Sequence, residues 1–215
     1  WLSGARRRIG FARPAGREIS PWLNNERVRP TAVHVVDQYL ELLRPLGIER
    51  PAVAFQVPET PAEAEAAEGC LREAGIAAGY AVINAGAGWI SKRWPPARFG
   101  AVARYLGEFW RLPSLVAWAG TEERSWAEEI AAASCGHARL APPTTIRELA
   151  ALARRARLFV GSDTGPLHLA AAVGVPCVGL YGPWLAERNG PYGPQHVALQ
   201  KMRLAAKFGL PIICF

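Results

Sequence analysis

From residue 80 onward, short apolar runs alternate with segments of helical length, and this pattern restricts the possible folds more than any other feature. The runs that we predict to be strands are residues 80–84, 114–118, 158–160 and 177–180. Helix starts fall between them at Pro95, at the acidic turn of residues 120–123, and at residues 145–148, which fit a capping box. Strands that alternate with helices indicate βα units on a parallel sheet, so we predict an α/β domain.

The segment before residue 80 is less regular. Residues 1–30 are punctuated by proline and are predicted to be irregular, whereas residues 33–43 have the apolar spacing of a helix. Residues 58–61, Pro-Glu-Thr-Pro, are typical of a linker, and the Ala/Glu-rich run that follows as far as Leu71 predicts a surface helix. We therefore expect a domain boundary within residues 51–62.

Composition argues against several classes of protein. With 215 residues and 50% apolar content the chain can bury a sizeable core, and no apolar run approaches the roughly 20 residues of a membrane span. The four cysteines are far apart and form no Cys-x-x-Cys pair, which argues against a thiolate zinc site and favours a reducing cytoplasm.

Positive charge is concentrated near the start of the chain. The formal net charge is +7, and residues 1–30 contain seven arginines against two glutamates. Such a patch can attract anionic lipid headgroups, an anionic sugar acceptor or nucleic acid, and a merely solvated face is an equal alternative. Nucleic acid is the weakest of these candidates because no aromatic residues are interleaved with the arginines.

The loop after the first predicted strand of the α/β domain is glycine-rich. Residues 84–92 read Asn-Ala-Gly-Ala-Gly-Trp-Ile-Ser-Lys, so Gly86 and Gly88 let backbone N–H groups approach a phosphate and Lys92 adds positive charge. The spacing excludes a P-loop, and Ser91 at the third glycine position argues against a dinucleotide fingerprint. The alternative is a tight turn with an exposed lysine.

A second polar loop follows a buried strand and opens a helix predicted over residues 166–173. It reads Gly-Ser-Asp-Thr-Gly-Pro-Leu-His over residues 161–168. Proline in the first turn leaves the N–H groups of Thr164 and Gly165 at the carboxyl end of the strand, where open α/β sheets bind ligands. We expect Asp163 and Thr164 both to cap the helix and to bind a ligand, while His168 favours packing beneath the helix.

A third loop, rich in glycine and proline, comes after the last predicted strand. It contains Tyr-Gly-Pro-Trp at residues 181–184 and Arg-Asn-Gly-Pro-Tyr-Gly-Pro at residues 188–194. Loops at strand ends carry binding sites, although aromatic Gly/Pro loops also cover the edges of cores. Ligand contact and a structural role are therefore both open for this loop.

Taken together, the three motifs resemble glycosyltransferase family 9, the ADP-heptose:lipopolysaccharide heptosyltransferases. The similar segments are residues 84–99, which continue the first loop with Arg-Trp-Pro-Pro-Ala-Arg-Phe, residues 162–172, and the third loop. Residues 1–50, with Gly-Arg-Glu at 16–18 and His-Val-Val-Asp at 34–37, resemble the latter part of the family's N-terminal domain.

The resemblance implies a GT-B fold, in which two Rossmann-like domains face each other across a cleft, with the donor in the C-terminal domain and the acceptor in the N-terminal one. It divides the chain into an acceptor-domain remnant (1–57), a linker and surface helix (58–78), the nucleotide-sugar domain (79–203) and a tail without a recognisable pattern (204–215). The implied donor site comprises Gly86, Ala87, Gly88, Lys92, Glu122, Asp163, Thr164, Gly165 and His168.

Roles within that site also follow from the resemblance. Lys92 corresponds to a lysine near the donor phosphates, residues 163–165 to an Asp-Thr-Gly that grips the diphosphate and sugar, and Glu122 to an acidic residue directed toward the nucleoside. Ala87 and Gly88 replace hydroxyl-bearing residues of some relatives, so side-chain phosphate contacts are not expected there.

The implied reaction is an inverting transfer of heptose from ADP-heptose to a lipid A-linked lipopolysaccharide core acceptor, at the inner face of a bacterial cytoplasmic membrane. Neither a cofactor nor a metal is expected, since no Asp-x-Asp occurs. The family's catalytic base would precede Trp1, and its C-terminal helix is not recognisable in residues 204–215. We therefore expect a truncated chain that binds donor but transfers little sugar, with its catalytic residue unassigned.

Three alternatives remain at this stage. A chain without the base can be a non-catalytic donor-binding fragment. Another GT-B enzyme, such as a nucleotide-sugar epimerase or a transferase for a different sugar, would share the same loops. A nicotinamide dehydrogenase is the most distant alternative because the dinucleotide fingerprint fails.

Overall fold

The computed structural model describes residues 4–200, which form two compact units. The smaller unit comprises the described residues up to Ala54 together with Glu187–Asn189, and the larger unit comprises Phe55–Ala186 and the described residues from Gly190 onward. The predicted tail of residues 204–215 lies outside the described residues. In the described part of the chain, no helix combines the length and the apolar character that crossing a membrane requires.

The smaller unit is built on two short parallel strands. Strand β1 (Ile9–Phe11) pairs with β2 (Glu26–Val28), and the one-turn helix α1 (Ser20–Leu23) lies between them in sequence. The prediction of irregular structure for residues 1–30 was therefore wrong. Three-residue strands are too short to display an alternating pattern, and the arginines and prolines around them hide it.

The helix predicted over residues 33–43 is an α-helix in its first part and a 3-10 helix after that. Helix α2 (Val35–Leu40) is followed directly by a 3-10 helix (Glu41–Leu46) that contains Pro45. Proline has no N–H to donate to the carbonyl of Glu41 four residues earlier, so the α-helical pattern cannot continue through it.

A buried carboxylate holds the smaller unit together. Glu41 accepts hydrogen bonds from the hydroxyl (2.6 Å) and backbone N–H (2.7 Å) of Thr31 and from the N–H of Ala32 (3.0 Å), and Arg44 lies 3.1 Å away. The Thr31 hydroxyl is the main cause of a lowered pKa for Glu41, and burial opposes it. A buried charge of this kind is tolerated because its oxygens are satisfied.

The larger unit contains a six-stranded parallel sheet. Its strands are β3 (Ala81–Asn84), β4 (Ser114–Ala117), β5 (Ala138–Leu140), β6 (Leu158–Ser162), β7 (Cys177–Tyr181) and β8 (Val197–Gln200). They lie side by side in the order β5-β4-β3-β6-β7-β8, all parallel. The direction in which the sheet grows reverses between β3 and β6, which makes this boundary its topological switch point.

Helices connect these strands on both faces of the sheet. They are α4 (Pro96–Trp110), α5 (Gly120–Ala133), α6 (Ile146–Arg155) and α7 (Gly165–Ala172). Helix α3 (Pro61–Glu73) precedes β3, and the short α8 (Ala186–Asn189), between β7 and β8, has its last three residues in the smaller unit. Successive strand residues enter opposite cores, so that Val82 packs in the core that includes Leu152 and Leu167, while Ile83 packs in the core that includes Phe99 and Ile130. A sheet buried on both faces explains why its central strands are continuous apolar runs.

The four strands predicted from the sequence are confirmed as β3, β4, β6 and β7, and the predicted capping box is present. The Thr145 hydroxyl accepts from the N–H of Glu148 (3.2 Å), and the Glu148 carboxylate accepts from the N–H of Thr145 (2.6 Å). Strands β5 and β8 were missed. Both lie at the edges of the sheet and carry exposed residues such as Arg139 and Leu199, so neither forms a buried apolar run.

Candidate functional site

The two central polar loops meet at the switch point of the sheet. Asn84, the last residue of β3, is in register with Gly161 of β6. The glycine-rich loop leaves the carboxyl end of β3, and the Asp-Thr-Gly loop leaves the carboxyl end of β6 and opens α7. In open α/β sheets this crevice is the usual place for a ligand, because two neighbouring loops diverge there.

Lys92 and Asp163 form an ion pair across the two loops. Lys92 Nζ lies 2.7 Å from Asp163 Oδ2 and also donates to the Asp163 carbonyl at 3.2 Å. The side chain of Lys92 is 18% exposed and that of Asp163 9%. The alternative of a tight turn with an exposed lysine therefore does not hold, since the amino group is drawn into the crevice.

Asp163 also contacts His168 one turn into α7. His168 Nε2 lies 3.3 Å from Asp163 Oδ1, and the histidine side chain is 43% exposed. Burial by itself would raise the pKa of Asp163, but the hydrogen bonds from His168 and Lys92, with the charge of Lys92, lower it below its usual value. The expectation that His168 packs beneath the helix is wrong, because it lies at the surface of the site.

The expected side-chain cap of α7 is also absent. Thr164 occupies the N-cap position, but its hydroxyl donates to the carbonyl of Ser162 (3.2 Å), and the Asp163 carboxylate is engaged by Lys92 and His168. The first N–H groups of a helix have no partner within the helix. With neither side chain capping them, the N–H groups at the start of α7 remain suited to an anion.

Two buried polar atoms at the same strand ends have no protein partner among the described residues. Asn84 uses its Nδ2 to donate to the carbonyl of Ala117 (3.2 Å), and its Oδ1 is unpaired. The hydroxyl of Ser162 is unpaired as well. Because a buried polar atom without a partner costs free energy, such atoms beside a cleft indicate a place for ligand or water.

A cleft of about 300 Å³ opens beside these strand ends. The first loop contributes Gly86, Ala87 and Gly88, and α7 contributes Thr164 and Pro166. Its remaining lining comes from the end of β3, from β4 and its following loop, from the first turn of α5 and from the start of α6: Asn84, Ala117, Trp118, Ala119, Glu123, Thr144, Thr145, Ile146 and Leu149. Ile146, Leu149 and Trp118 give the cleft apolar surface, and Glu123 gives it a carboxylate.

The structure places Glu122 outside this cleft and Glu123 in its wall. Glu122 is 64% exposed and pairs with Arg93 at 2.9 Å. Glu123 accepts from the N–H of Ala119 at 2.9 Å and lines the cleft. A Cβ at Gly86 would overlap the Glu123 carboxylate, so this position of Glu123 requires glycine there.

Sequence reasoning missed Glu123 although both glutamates were visible in the first turn of a predicted helix. Adjacent helical residues point about 100° apart, so only one of the two can enter a given cleft. The sequence holds a signal in the paired glutamates, but the choice between them depends on where the cleft lies relative to α5.

The third loop borders the site, and a side chain from β8 holds it in place. Gln200 donates to the carbonyls of Gly182 (3.2 Å) and Trp184 (2.9 Å) and accepts from the N–H of Ala186 (3.0 Å). A Cβ at Gly182 would stand 2.7 Å from the carbonyl oxygen of Ser91, so the third loop is closely packed on the first. This contact brings the Trp184 ring to 5.9 Å from Lys92 Nζ.

Within residues 4–200, no three His, Cys, Asp or Glu side chains come together as metal ligands. The ionisable groups that converge on the site are instead Lys92, Asp163 and His168. The arrangement offers positive charge, helix N–H groups and a carboxylate on one side of an apolar cleft, which suits an anionic ligand with an apolar end.

Two lipopolysaccharide heptosyltransferases are similar to this chain in sequence. The chain is 33% identical to lipopolysaccharide heptosyltransferase 1 of Pseudomonas aeruginosa strain PAO1, over 88% of this chain and 52% of that protein. It is also 33% identical to lipopolysaccharide heptosyltransferase 3 of Escherichia coli, over 69% of this chain and 44% of that protein. The chain thus spans about half the length of these relatives.

Solved structures show the same fold. A glycosyl transferase family 9 structure from Veillonella parvula superimposes with a TM-score of 0.73 at 22% identity, covering 96% of this chain and 59% of that one. The E. coli heptosyltransferase WaaC with ADP gives 0.64 at 20% identity, covering 85% and 55%. The α/β architecture is therefore part of a GT-B fold, as expected.

The family model for glycosyltransferase family 9 (heptosyltransferase) matches residues 1–209, nearly the whole chain. The chain belongs to glycosyltransferase family 9.

Proposed function

We propose that this chain carries the donor-binding domain of a heptosyltransferase, which moves heptose from ADP-heptose to an anionic, lipid-linked lipopolysaccharide core saccharide at a membrane surface. The observation that carries the proposal is the convergence of Lys92, Asp163 and the start of α7 beside an apolar cleft. The resemblance to heptosyltransferases supports the choice of substrates.

The donor diphosphate is proposed to lie between Lys92 and the first turn of α7. Lysine has three donors, so Lys92 can keep its bond to Asp163 and still bind a phosphate oxygen. The N–H groups of Thr164 and Gly165 supply the positive end of the helix, and Gly86, Ala87 and Gly88 bring backbone rather than side chains to the cleft. Asp163 is bonded to Lys92 and His168, but its carboxylate oxygens have further lone pairs that can accept from hydroxyls of the sugar.

The nucleoside is proposed to occupy the cleft beside α6. Ile146 and Leu149 provide apolar surface for a base, and the Glu123 carboxylate provides an acceptor for ribose hydroxyls. Glu123 thereby takes the role that the sequence assigned to Glu122.

The acceptor is proposed to bind the smaller unit, as part of an acceptor-binding domain. A cavity of about 460 Å³ there is lined by Arg13, Arg27 and Arg29 with Trp22. None of these arginines has a carboxylate partner among the described residues. Unpaired guanidinium groups bind phosphate and carboxylate groups in a bidentate manner, and both groups are typical of an anionic saccharide.

In the proposed inverting reaction, an acceptor hydroxyl attacks the anomeric carbon of the donor and gives up its proton to a general base, while the bond from that carbon to the phosphate oxygen breaks and ADP leaves. Negative charge grows on the departing diphosphate, where Lys92 and the α7 N–H groups stabilise it. This arrangement supplies the positive charge that a divalent metal provides in other transferases, so we propose that donor binding is independent of metal.

Calorimetry of the chain with ADP-heptose, ADP, UDP-N-acetylglucosamine and NAD, each with and without EDTA, tests the donor assignment. We expect ADP-heptose and ADP to bind equally well in both conditions and the other two ligands not to bind. Preferential binding of the UDP-sugar would indicate the epimerase alternative, and loss of binding in EDTA would contradict the metal-free site.

A further inference from the structure

We infer that Trp184 is a specificity-determining residue whose indole ring packs against the transferred sugar of the donor. This inference rests on the proposed function, because it requires the diphosphate to sit on Lys92.

The exposure of Trp184 argues against a purely structural role. Its side chain is 53% exposed, so it does not cover the edge of the core as aromatic Gly/Pro loops often do. A large apolar ring held at the surface gains little from burial within its own chain. Apart from the approach of Lys92 Nζ to 5.9 Å from its centroid, the exposed ring is available to a ligand.

The backbone that carries Trp184 is held from two sides. Gln200 binds the loop through three hydrogen bonds, including one to the Trp184 carbonyl at 2.9 Å. On the other side, Gly182 packs on the carbonyl of Ser91 so closely that a side chain would not fit. A binding group fixed before the ligand arrives loses less entropy on binding, so the loop is suited to present the ring.

The position of the ring matches the place of the sugar. The Trp184 ring centroid lies 5.9 Å from Lys92 Nζ, and Lys92 is the proposed partner of the diphosphate. The sugar is bonded directly to that diphosphate, so a diphosphate bound to Lys92 places the sugar close to the Trp184 ring. The C–H groups on one face of a sugar ring are weakly positive and apolar, which complements the negative face of an indole.

This placement predicts which ligand contacts the Trp184 ring. ADP-heptose contains the sugar and ADP does not, whereas both contain the diphosphate and the nucleoside. Removing the ring should therefore reduce the preference for ADP-heptose over ADP, and removing Gln200 should do so indirectly by releasing the loop. Gln200 is in this sense a positioning residue.

The test is calorimetric titration of the full chain and its variants with ADP-heptose and with ADP. We expect Trp184→Ala to weaken ADP-heptose binding about fivefold and ADP binding less than twofold. Trp184→Phe should restore most of the difference, and Gln200→Ala should resemble Trp184→Ala in direction. Trp110→Ala, which removes another exposed tryptophan from the end of α4, is the matched control and should change neither affinity.

Three results would overturn the inference: equal weakening of both ligands by Trp184→Ala, no weakening of either, or no rescue by phenylalanine. These outcomes differ from failure of the proposed function, in which the unaltered chain would bind neither ADP-heptose nor ADP. Far-UV circular dichroism of each variant confirms that the fold is retained, so that a loss of affinity is assigned to the ring.

Discussion

Lys92 Nζ lies 2.7 Å from Asp163 Oδ2, although 71 residues separate the two along the chain. The pair joins the glycine-rich loop after β3 to the Asp-Thr-Gly loop after β6, so two motifs that the sequence presents separately form one site. A donor phosphate bound as proposed would therefore share Lys92 with a carboxylate instead of meeting a free amino group.

Replacing Lys92 by alanine should weaken binding of ADP but not of adenosine. A charged hydrogen bond to phosphate contributes about 1.5–3 kcal/mol, and adenosine has no phosphate to lose. Calorimetry with the two ligands measures the difference, and Arg98→Ala, which removes an exposed cation from α4, is the control. Equal losses for ADP and adenosine would show that Lys92 supports the fold and not the phosphate.

Glu123 and Glu122 should respond differently to the same substitution. Glu123→Gln should weaken both ADP and adenosine by about 0.5–1.5 kcal/mol, since a ribose hydroxyl would lose a charged acceptor in the cleft. Glu122→Gln should leave both affinities unchanged, because Glu122 pairs with Arg93 outside the cleft. If only the Glu122 variant loses affinity in the titration, the contact with the ribose is made by Glu122 and not by Glu123.

Arginines around the cavity of the smaller unit should govern binding of an anionic saccharide. We expect Arg29→Ala to weaken binding of a phosphorylated core oligosaccharide about tenfold at low salt, and less at high salt, where charges are screened. Arg50→Ala removes an exposed arginine of the same unit that does not line the cavity. Similar losses in the two variants would indicate a general charge effect in place of a site.

Two helical glycines offer a paired test of packing. A Cβ at Gly100 would lie 2.5 Å from Ala133 Cβ and 2.9 Å from the carbonyl oxygen of Ile130, whereas at Gly69 its nearest neighbour is the end of Arg72 at 3.8 Å. Gly100→Ala should lower the free energy of unfolding by about 1–3 kcal/mol as α4 and α5 are forced apart. Gly69→Ala should raise it by up to about 1 kcal/mol through helix propensity.

Urea titrations of both variants measure these changes. Because both variants replace a helical glycine by alanine, a difference between their changes in the free energy of unfolding reflects the surroundings of each glycine. A stable Gly100→Ala variant would mean that α4 and α5 can separate at little cost.

Stability should fall in mildly acidic solution because of His196. Its Nδ1 accepts from the N–H of Cys177 at 3.2 Å and so must be unprotonated. Burial lowers the pKa of His196 below its usual value, and a hydrogen bond with the backbone of Tyr192 opposes this only in part. The unfolded chain, with the ordinary pKa of about 6.5, then takes up a proton that the folded chain does not, so stability is lost as pH falls through that value.

The free energy of unfolding of the chain and of His196→Gln, measured by urea titration between about pH 5 and pH 8, checks this sign. We expect a smaller decline toward low pH in the variant, which has no imidazole at this position. Parallel curves for the two proteins would assign the decline to other groups.

The sequence by itself determined the central strands, most helices and the two polar loops. Continuous apolar runs are required wherever a sheet is covered on both faces, and the capping box at residues 145–148 is a local interaction complete within four residues. Membership of the family can likewise be recognised from the sequence, because it rests on the residues and the order of the motifs.

Only the tertiary structure decided how those pieces combine. The edge strands β5 and β8 lack a buried apolar run and exist because a neighbouring strand offers its backbone groups. The pairing of Lys92 with Asp163, the position of Glu123 in the wall of the cleft and the approach of Trp184 to Lys92 all depend on distances between segments far apart in sequence. Residue type and spacing fix what a side chain can do, but its partners are set by the order of strands in the sheet.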